Sequence, residues 1–111
     1  MALKSAVEND LKAALLGGDR FVTETLRGLK AAILNEEIVQ NKRDEGLDDT
    51  TIEKIVAREV KKRNEAAQLY ADNDRSESAD NERREAEIIS KYLPTQLDEA
   101  AIRAIVEAVV K

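Results

Sequence analysis

The side chains best placed to do chemistry lie between Asp48 and Tyr70, in the stretch DDTTIEKIVAREVKKRNEAAQLY. Glu59 and Arg63 are four residues apart, the spacing at which side chains meet on a helix surface, and both fall among apolar neighbours. A charge covered by protein needs a partner, so the pair reads either as a structural ion pair that fixes how helices dock or as a contact for a bound substrate. Lys54, Arg58 and Lys61 point the other way on the same helical wheel, with Lys62 on the flank. Such a set is an ordinary solvated face on composition alone, or a patch that meets phosphates. Nucleophilic chemistry has little to work with. The chain has no Cys and no His, so it lacks a thiolate and the commonest acid, base and metal ligand at neutral pH. Ser5, Ser76, Ser78 and Ser90 have no His or Lys constellation around them in the sequence, and the four glycines, Gly17, Gly18, Gly28 and Gly46, make no phosphate-cradling loop. No catalytic residue, cofactor or metal site is expected. Ala71-Asp72-Asn73-Asp74-Arg75 resembles the start of a calcium loop but lacks the Gly and terminal Glu at the required offsets, so its acids read as turn and cap residues.

These groups must be carried by helices. With 42% hydrophobic, 37% charged and only 3% aromatic residues in 111, the composition suits an all-α bundle with an Ala, Leu, Ile and Val core. Residues 2–16 form a first helix, with Leu3, Val7, Leu11 and Ala14 on one face and Lys4, Glu8 and Lys12 on the other. Gly17-Gly18-Asp19 ends it and caps a second helix, so the two are antiparallel neighbours. That second helix runs from about Arg20 to Arg43, and the polar stretch Asn41 to Asp49, with Gly46, marks the turn into the third. Val22, Leu26, Leu29 and Ile33 form a stripe continued by Glu36, Glu37 and Gln40, while Ala31, Leu34 and Ile38 form another, which predicts more than one packing partner. Asp48 or Thr50 caps the third helix, whose apolar side is Ile52, Ile55, Val56, Val60, Ala66, Ala67 and Tyr70. A fourth runs from Ser76 to Tyr92, with Glu82, Glu85, Ala86, Ile89 and Leu93 inward, and Pro94 stops it. Glu37, Glu59, Arg63, Glu82 and Glu85 are therefore candidates for one structural polar cluster between helices. Asp98 caps a fifth helix, in which Ile102, Ile105, Val106, Val109 and Val110 make an apolar stripe. The expected organisation is a four-helix domain over 1–95, followed over 96–111 by the first helix of a tail domain that continues past Lys111.

The net charge of −5 argues against a protein that coats nucleic acid indiscriminately and leaves room for a local basic patch. No apolar run approaches a membrane span, and the opening residues MALKSAVEND lack the layout of a secretory signal, so a soluble cytoplasmic protein is expected.

Three segments together resemble the YqeY-like family, also called GatB/YqeY proteins: LRGLKAAILNEEI (Leu26 to Ile38), EVKKRNEAAQLY (Glu59 to Tyr70) and EAEIISKYLPTQLDEAAI (Glu85 to Ile102). The YLPTQL piece is the most specific, and the likeness covers essentially the whole chain in order. Its motif positions fall here on Arg27, Asn35, Glu37, Lys62, Arg63, Tyr70, Arg75, Glu82, Glu85, Tyr92, Leu93, Pro94, Gln96 and Leu97. Ser78 stands where the family more often has Leu, which should loosen the start of the fourth helix. The resemblance implies an all-helical N-terminal domain and a small tail similar to that of the B subunit of the tRNA-dependent amidotransferase, a carbon-nitrogen ligase with glutamine as amido donor. That tail is associated with tRNA recognition.

The function expected on this basis is a tRNA-associated, non-catalytic binding or adaptor protein. Its tRNA-binding candidates are Arg27, Lys30, Lys54, Arg58, Lys61 and Lys62, and its partners would be tRNA, amidotransferase subunits or an aminoacyl-tRNA synthetase, with no membrane. The alternative is a protein-interaction scaffold with no nucleic-acid role. Because no activated nucleophile is recognisable, the purified protein should release no ammonia from glutamine and transfer none to aminoacyl-tRNA above background in a coupled assay; turnover would overturn the non-catalytic reading.

Overall fold

The computed structural model describes residues 2–94 and contains α1 (Ala2–Leu16), α2 (Arg20–Val39), α3 (Asp49–Asp72) and α4 (Ser76–Ser90). The protein is all-α. The predicted fifth helix from Asp98, its stripe from Ile102 to Val110, and the segment 96–111 lie outside the described residues. Contacts divide the chain into two units, Met1–Ile55 and Val56–Lys111, with α3 contributing to both.

Three of the helices end in the same way, which accounts for both connections that double the chain back. After α1, Gly18 adopts φ 73°, and after α2 and α3 the residues at the same place are Asn41 (φ 55°) and Asp74 (φ 58°). In each case the residue after the left-handed one donates its amide back five residues, Asp19 N to Ala14 O, Lys42 N to Glu37 O and Arg75 N to Tyr70 O. The left-handed residue itself donates back three, Gly18 N to Leu15 O, Asn41 N to Ile38 O and Asp74 N to Ala71 O. This paired closure satisfies carbonyls that a helix end leaves open, and Gly, Asn and Asp pay the least for a positive φ. It also explains why α2 stops at Val39 and not at Arg43. Residues 40–46 are polar or glycine, and Asn41 takes the left-handed conformation and turns the chain out.

The starts of α2 and α3 are set by carboxylates. Asp19 Oδ1 accepts from Val22 N at 3.1 Å, and Asp48 Oδ1 from Thr51 N at 2.8 Å, so of the two predicted caps of α3 it is Asp48 that serves. Helix α4 has no side-chain cap: Arg75 occupies that position but serves the preceding helix, through its amide and through a guanidinium 5.8 Å from the Tyr70 ring centre.

In the first unit α1 and α2 form a hairpin, its core made by Val7, Leu26, Leu29 and Ile33 with Leu47, Ile52 and Ile55 beyond the loop. Thr23 and Thr25 are also buried. Each hydroxyl donates to the carbonyl four residues earlier, Asp19 O at 2.6 Å and Phe21 O at 2.9 Å, so neither enters the core unsatisfied. The second apolar strip of α2 is covered only in part: Leu34 is half-buried, Ala31 and Ile38 exposed. An apolar pattern shows that a face could be buried, not that anything lies on it.

In the second unit α3 and α4 are joined by a short turn and run antiparallel, Arg63 and Glu85 standing equally far from Asp74 along the chain. Ala67, Ala79 and Ala86 are buried with Val56, Ala57, Val60 and Ile89, and Tyr92 and Leu93 close the end before Pro94. Small side chains at these places let the helix axes approach closely. Leu29 is wholly buried, so Leu29→Ala should cost about 2–5 kcal/mol in urea denaturation, with an unchanged helical circular dichroism spectrum at zero denaturant.

Candidate functional site

The cations of α3 come from a helix whose opposite side is apolar. Lys54, Arg58 and Lys62 are exposed, and none of the three has an ion pair among the described residues. Lys61 is half-buried and lies 3.9 Å from Glu65 Oε1 one turn on. On α2, Arg27 Nη1 is 3.1 Å from Glu24 Oε1, and Lys30 is half-buried. Of the six basic candidates, three are thus uncommitted along one helix, and two share their charge with a neighbouring carboxylate.

Near the start of the same helix the Asp48 carboxyl is held below its ordinary range, chiefly by hydrogen bonding from the Thr51 side chain and amide, with Lys42 and Lys54 adding to the effect. The negative charge at this cap is therefore secure at neutral pH, where it also suits the positive end of the helix.

The candidate polar residues are gathered in two places. In the second unit Arg63 Nη1 donates to Glu59 Oε1 at 2.8 Å and to the Glu59 carbonyl at 3.2 Å, while its Nε donates to Glu85 Oε1 at 3.2 Å. Arg63 and Glu59 are largely covered, so one guanidinium ties two turns of α3 to α4. Its planar fork suits this better than an ammonium would. Glu82 belongs to the same surroundings: burial pushes its carboxyl up and Glu85 pushes it further, against an opposing pull from Arg63 and Lys62.

Glu37 is held by other cations, in the first unit. Its Oε2 accepts from Lys4 Nζ at 2.7 Å, and Arg43 Nε stands 3.9 Å from Oε1. The carboxylate has no exposed surface. Beside it, Leu3 N donates to Asp49 Oδ1 at 3.2 Å, so the first turn of α1 is fastened both to the end of α2 and to the start of α3. Lys4 and Arg43 are the participants that sequence reasoning missed. Lys4 sits on the side of α1 opposite the predicted stripe, and its partner is 33 positions away, a distance at which no local spacing rule operates. Among the described residues no three His, Cys, Asp or Glu side chains are arranged to hold a metal ion.

The geometry defines an all-α protein of helical hairpins, pinned by charged groups brought together from different helices. The chain belongs to the YqeY-like family: the family model described as Yqey-like protein matches residues 4–111. Curated relatives include the protein named "Altered inheritance of mitochondria protein 41, mitochondrial" from Lachancea thermotolerans, 31% identical over 87 residues that make up 78% of this chain and 46% of that one. Its counterpart from Clavispora lusitaniae is 32% identical over 101 residues, 88% of this chain and 57% of the relative. The chain spans about half the length of the curated relatives it matches. These relatives are mitochondrial proteins by name, which overturns the expectation of a plain cytoplasmic location. The physical reason is simple. Lack of an apolar span and of a secretory layout speaks only to membrane insertion and secretion, and the interior of any aqueous compartment asks the same of a protein surface.

Glu82 gives this arrangement a pH signature. Its folded pKa is raised, so the folded state holds the proton more tightly than the unfolded chain. Ionised Glu82 therefore costs stability at neutral pH, a cost that fades as pH falls through the folded value. Glu82→Gln should raise the Tm at pH 7, with the gain shrinking as the pH falls towards the ordinary carboxyl value of 4.5. A lower Tm for the variant at pH 7 would mean that Arg63 dominates over burial.

Proposed function

We propose that the chain is a non-catalytic binding module for tRNA, serving tRNA-dependent amidation alongside amidotransferase subunits or an aminoacyl-tRNA synthetase. The observation that carries the reading is the row Lys54, Arg58 and Lys62 on α3, exposed and without an ion pair among the described residues. Four-residue steps separate them by about 6 Å along the helix axis. A carboxylate already bound to each would have to be displaced before a phosphate could take its place, and among the described residues none lies within ion-pair distance. Membership of the YqeY-like family supports the same direction, since the family's small tail domain resembles the tail of an amidotransferase subunit associated with tRNA. The net charge of −5 confines binding to this local row, so affinity rests on backbone charge and shape and weakens with salt.

Aromatic stacking contributes little to this reading. Tyr92 is buried, Tyr70 and Phe21 are half-buried, and single-stranded readers need exposed rings. The protein would therefore recognise a folded RNA surface in preference to splayed bases.

A titration of tRNA followed by fluorescence anisotropy tests the reading. The triple variant Lys54→Glu, Arg58→Glu and Lys62→Glu should bind at least about tenfold more weakly, with a salt dependence flatter by about two to three counterions. Unchanged affinity would refute the role of α3, and partners captured equally well after ribonuclease treatment would favour a protein scaffold.

A further inference from the structure

One side of α2 lies open to solvent. Its opposite side is the buried one, carrying Leu26, Leu29, Ile33 and Glu37, whereas Gly28, Ala31, Asn35, Ile38 and Val39 are exposed. Spacings of three and four set them in a stripe along the helix, and its two large members are far from covered, Ile38 at 59% exposure and Val39 at 77%. No charge interrupts the stripe. The charged residues within this span, Lys30, Glu36 and Glu37, are turned to other sides of the helix, and none of them is exposed. In a chain with 37% charged residues, an uncharged exposed stripe of this length suits contact with protein and not with a polyanion.

The order of side chains along the stripe says what fits it. Asn35 is at the middle, with the small Ala31 and Ala32 one turn before it and the large Ile38 and Val39 one turn after it. An identical helix laid antiparallel across the first, with the two Asn35 side chains facing each other, brings Ile38 and Val39 of each copy onto Ala31 and Ala32 of the other. Large side chains then meet hollows at both ends, which lets the axes approach. The Asn35 amide makes no hydrogen bond among the described residues. An amide can both donate to its twin and accept from it, so the same symmetry satisfies both. Charge agrees at the margins. The antiparallel arrangement carries Lys42, exposed just past the helix end, towards Glu24 of the other copy, whose carboxylate has room for a second cation besides Arg27. A parallel arrangement would set Glu24 against Glu24, Lys42 against Lys42 and Ile38 against Ile38.

We propose that the exposed face of α2 is an interface with a second copy of this chain, the two helices antiparallel and Asn35 on the two-fold axis. The proposal stands apart from the RNA-binding reading, which uses α3. A contact limited to about three turns of one helix sits at or below the roughly 1,200 Å² of total burial that marks stable interfaces, so the pair forms and separates with concentration.

The test exploits the absence of cysteine from the chain. At about 100 µM, Asn35→Cys should oxidise to a linked dimer at least about tenfold faster than Ser5→Cys, an exposed control on α1. Mixed Ala31→Cys and Ile38→Cys chains should link to each other in preference to their own kind. The sedimentation coefficient of the unaltered chain should rise with concentration up to about 1 mM, and Ile38→Glu should abolish the rise with an unchanged circular dichroism spectrum. Equal oxidation rates at positions 35 and 5, with a constant sedimentation coefficient, overturn the proposal. So does linkage of Ala31→Cys and Ile38→Cys chains each to its own kind, which would mean a parallel pair. Slow reaction of Asn35→Cys with a thiol reagent in dilute, monomeric protein also overturns it, since another part of the chain would then cover the face.

Discussion

A carboxylate taken wholly out of water must be met by a cation, and in the first unit this requirement joins residues far apart in the chain. Glu37 lies near the end of α2 and Lys4 in the first turn of α1, so their contact at 2.7 Å sets the antiparallel register of the hairpin. Breaking one partner of such a pair is far more damaging than the pair is stabilising, because the remaining charge is stranded. The contact therefore acts more as a specification of register than as a source of net stability. Hydrophobic burial by Leu26, Leu29 and Ile33 supplies the driving force, and the ion pair selects which arrangement of those side chains is acceptable.

The second unit uses the same principle in a more exposed form. Arg63 spans Glu59 on its own helix and Glu85 on α4, which leaves Glu82 as a carboxyl burdened by burial and by a like charge. Such surplus acid is tolerated because the group is only partly covered and solvent screens it. Where the apolar contribution is made by alanines, as at Ala67, Ala79 and Ala86, each buried side chain removes little surface from water. Docking through a three-way charged contact then has more influence on how the helices meet than it would over a core of leucines.

Function follows from what the packing leaves over. Covered charges are committed to partners, and the exposed cations of α3 without an ion pair among the described residues are Lys54, Arg58 and Lys62, on a protein that is acidic as a whole. Uncommitted charge of one sign in a short row is a feature of recognition surfaces that read a polyanion by its backbone.

Much was determined by the chain's local chemistry. Apolar spacing of three and four gave away each helix, Asp19 and Asp48 marked where helices start, and Gly18 where one ends, because caps and left-handed turns depend on residues within a few positions of each other. The Glu59–Arg63 contact was legible for the same reason. The end of α2 was legible only to within a turn, between a helix drawn to Arg43 and a polar stretch beginning at Asn41, since Asn is a permissive residue that adopts either conformation. Nor could spacing show that Glu37 pairs with Lys4 and stands beside Arg43, that Glu85 is the acid Arg63 reaches on α4, or that Ile38 is left exposed on an apolar strip. Those outcomes depend on which surfaces come together in three dimensions, and a one-dimensional pattern records the character of a surface without recording its neighbour.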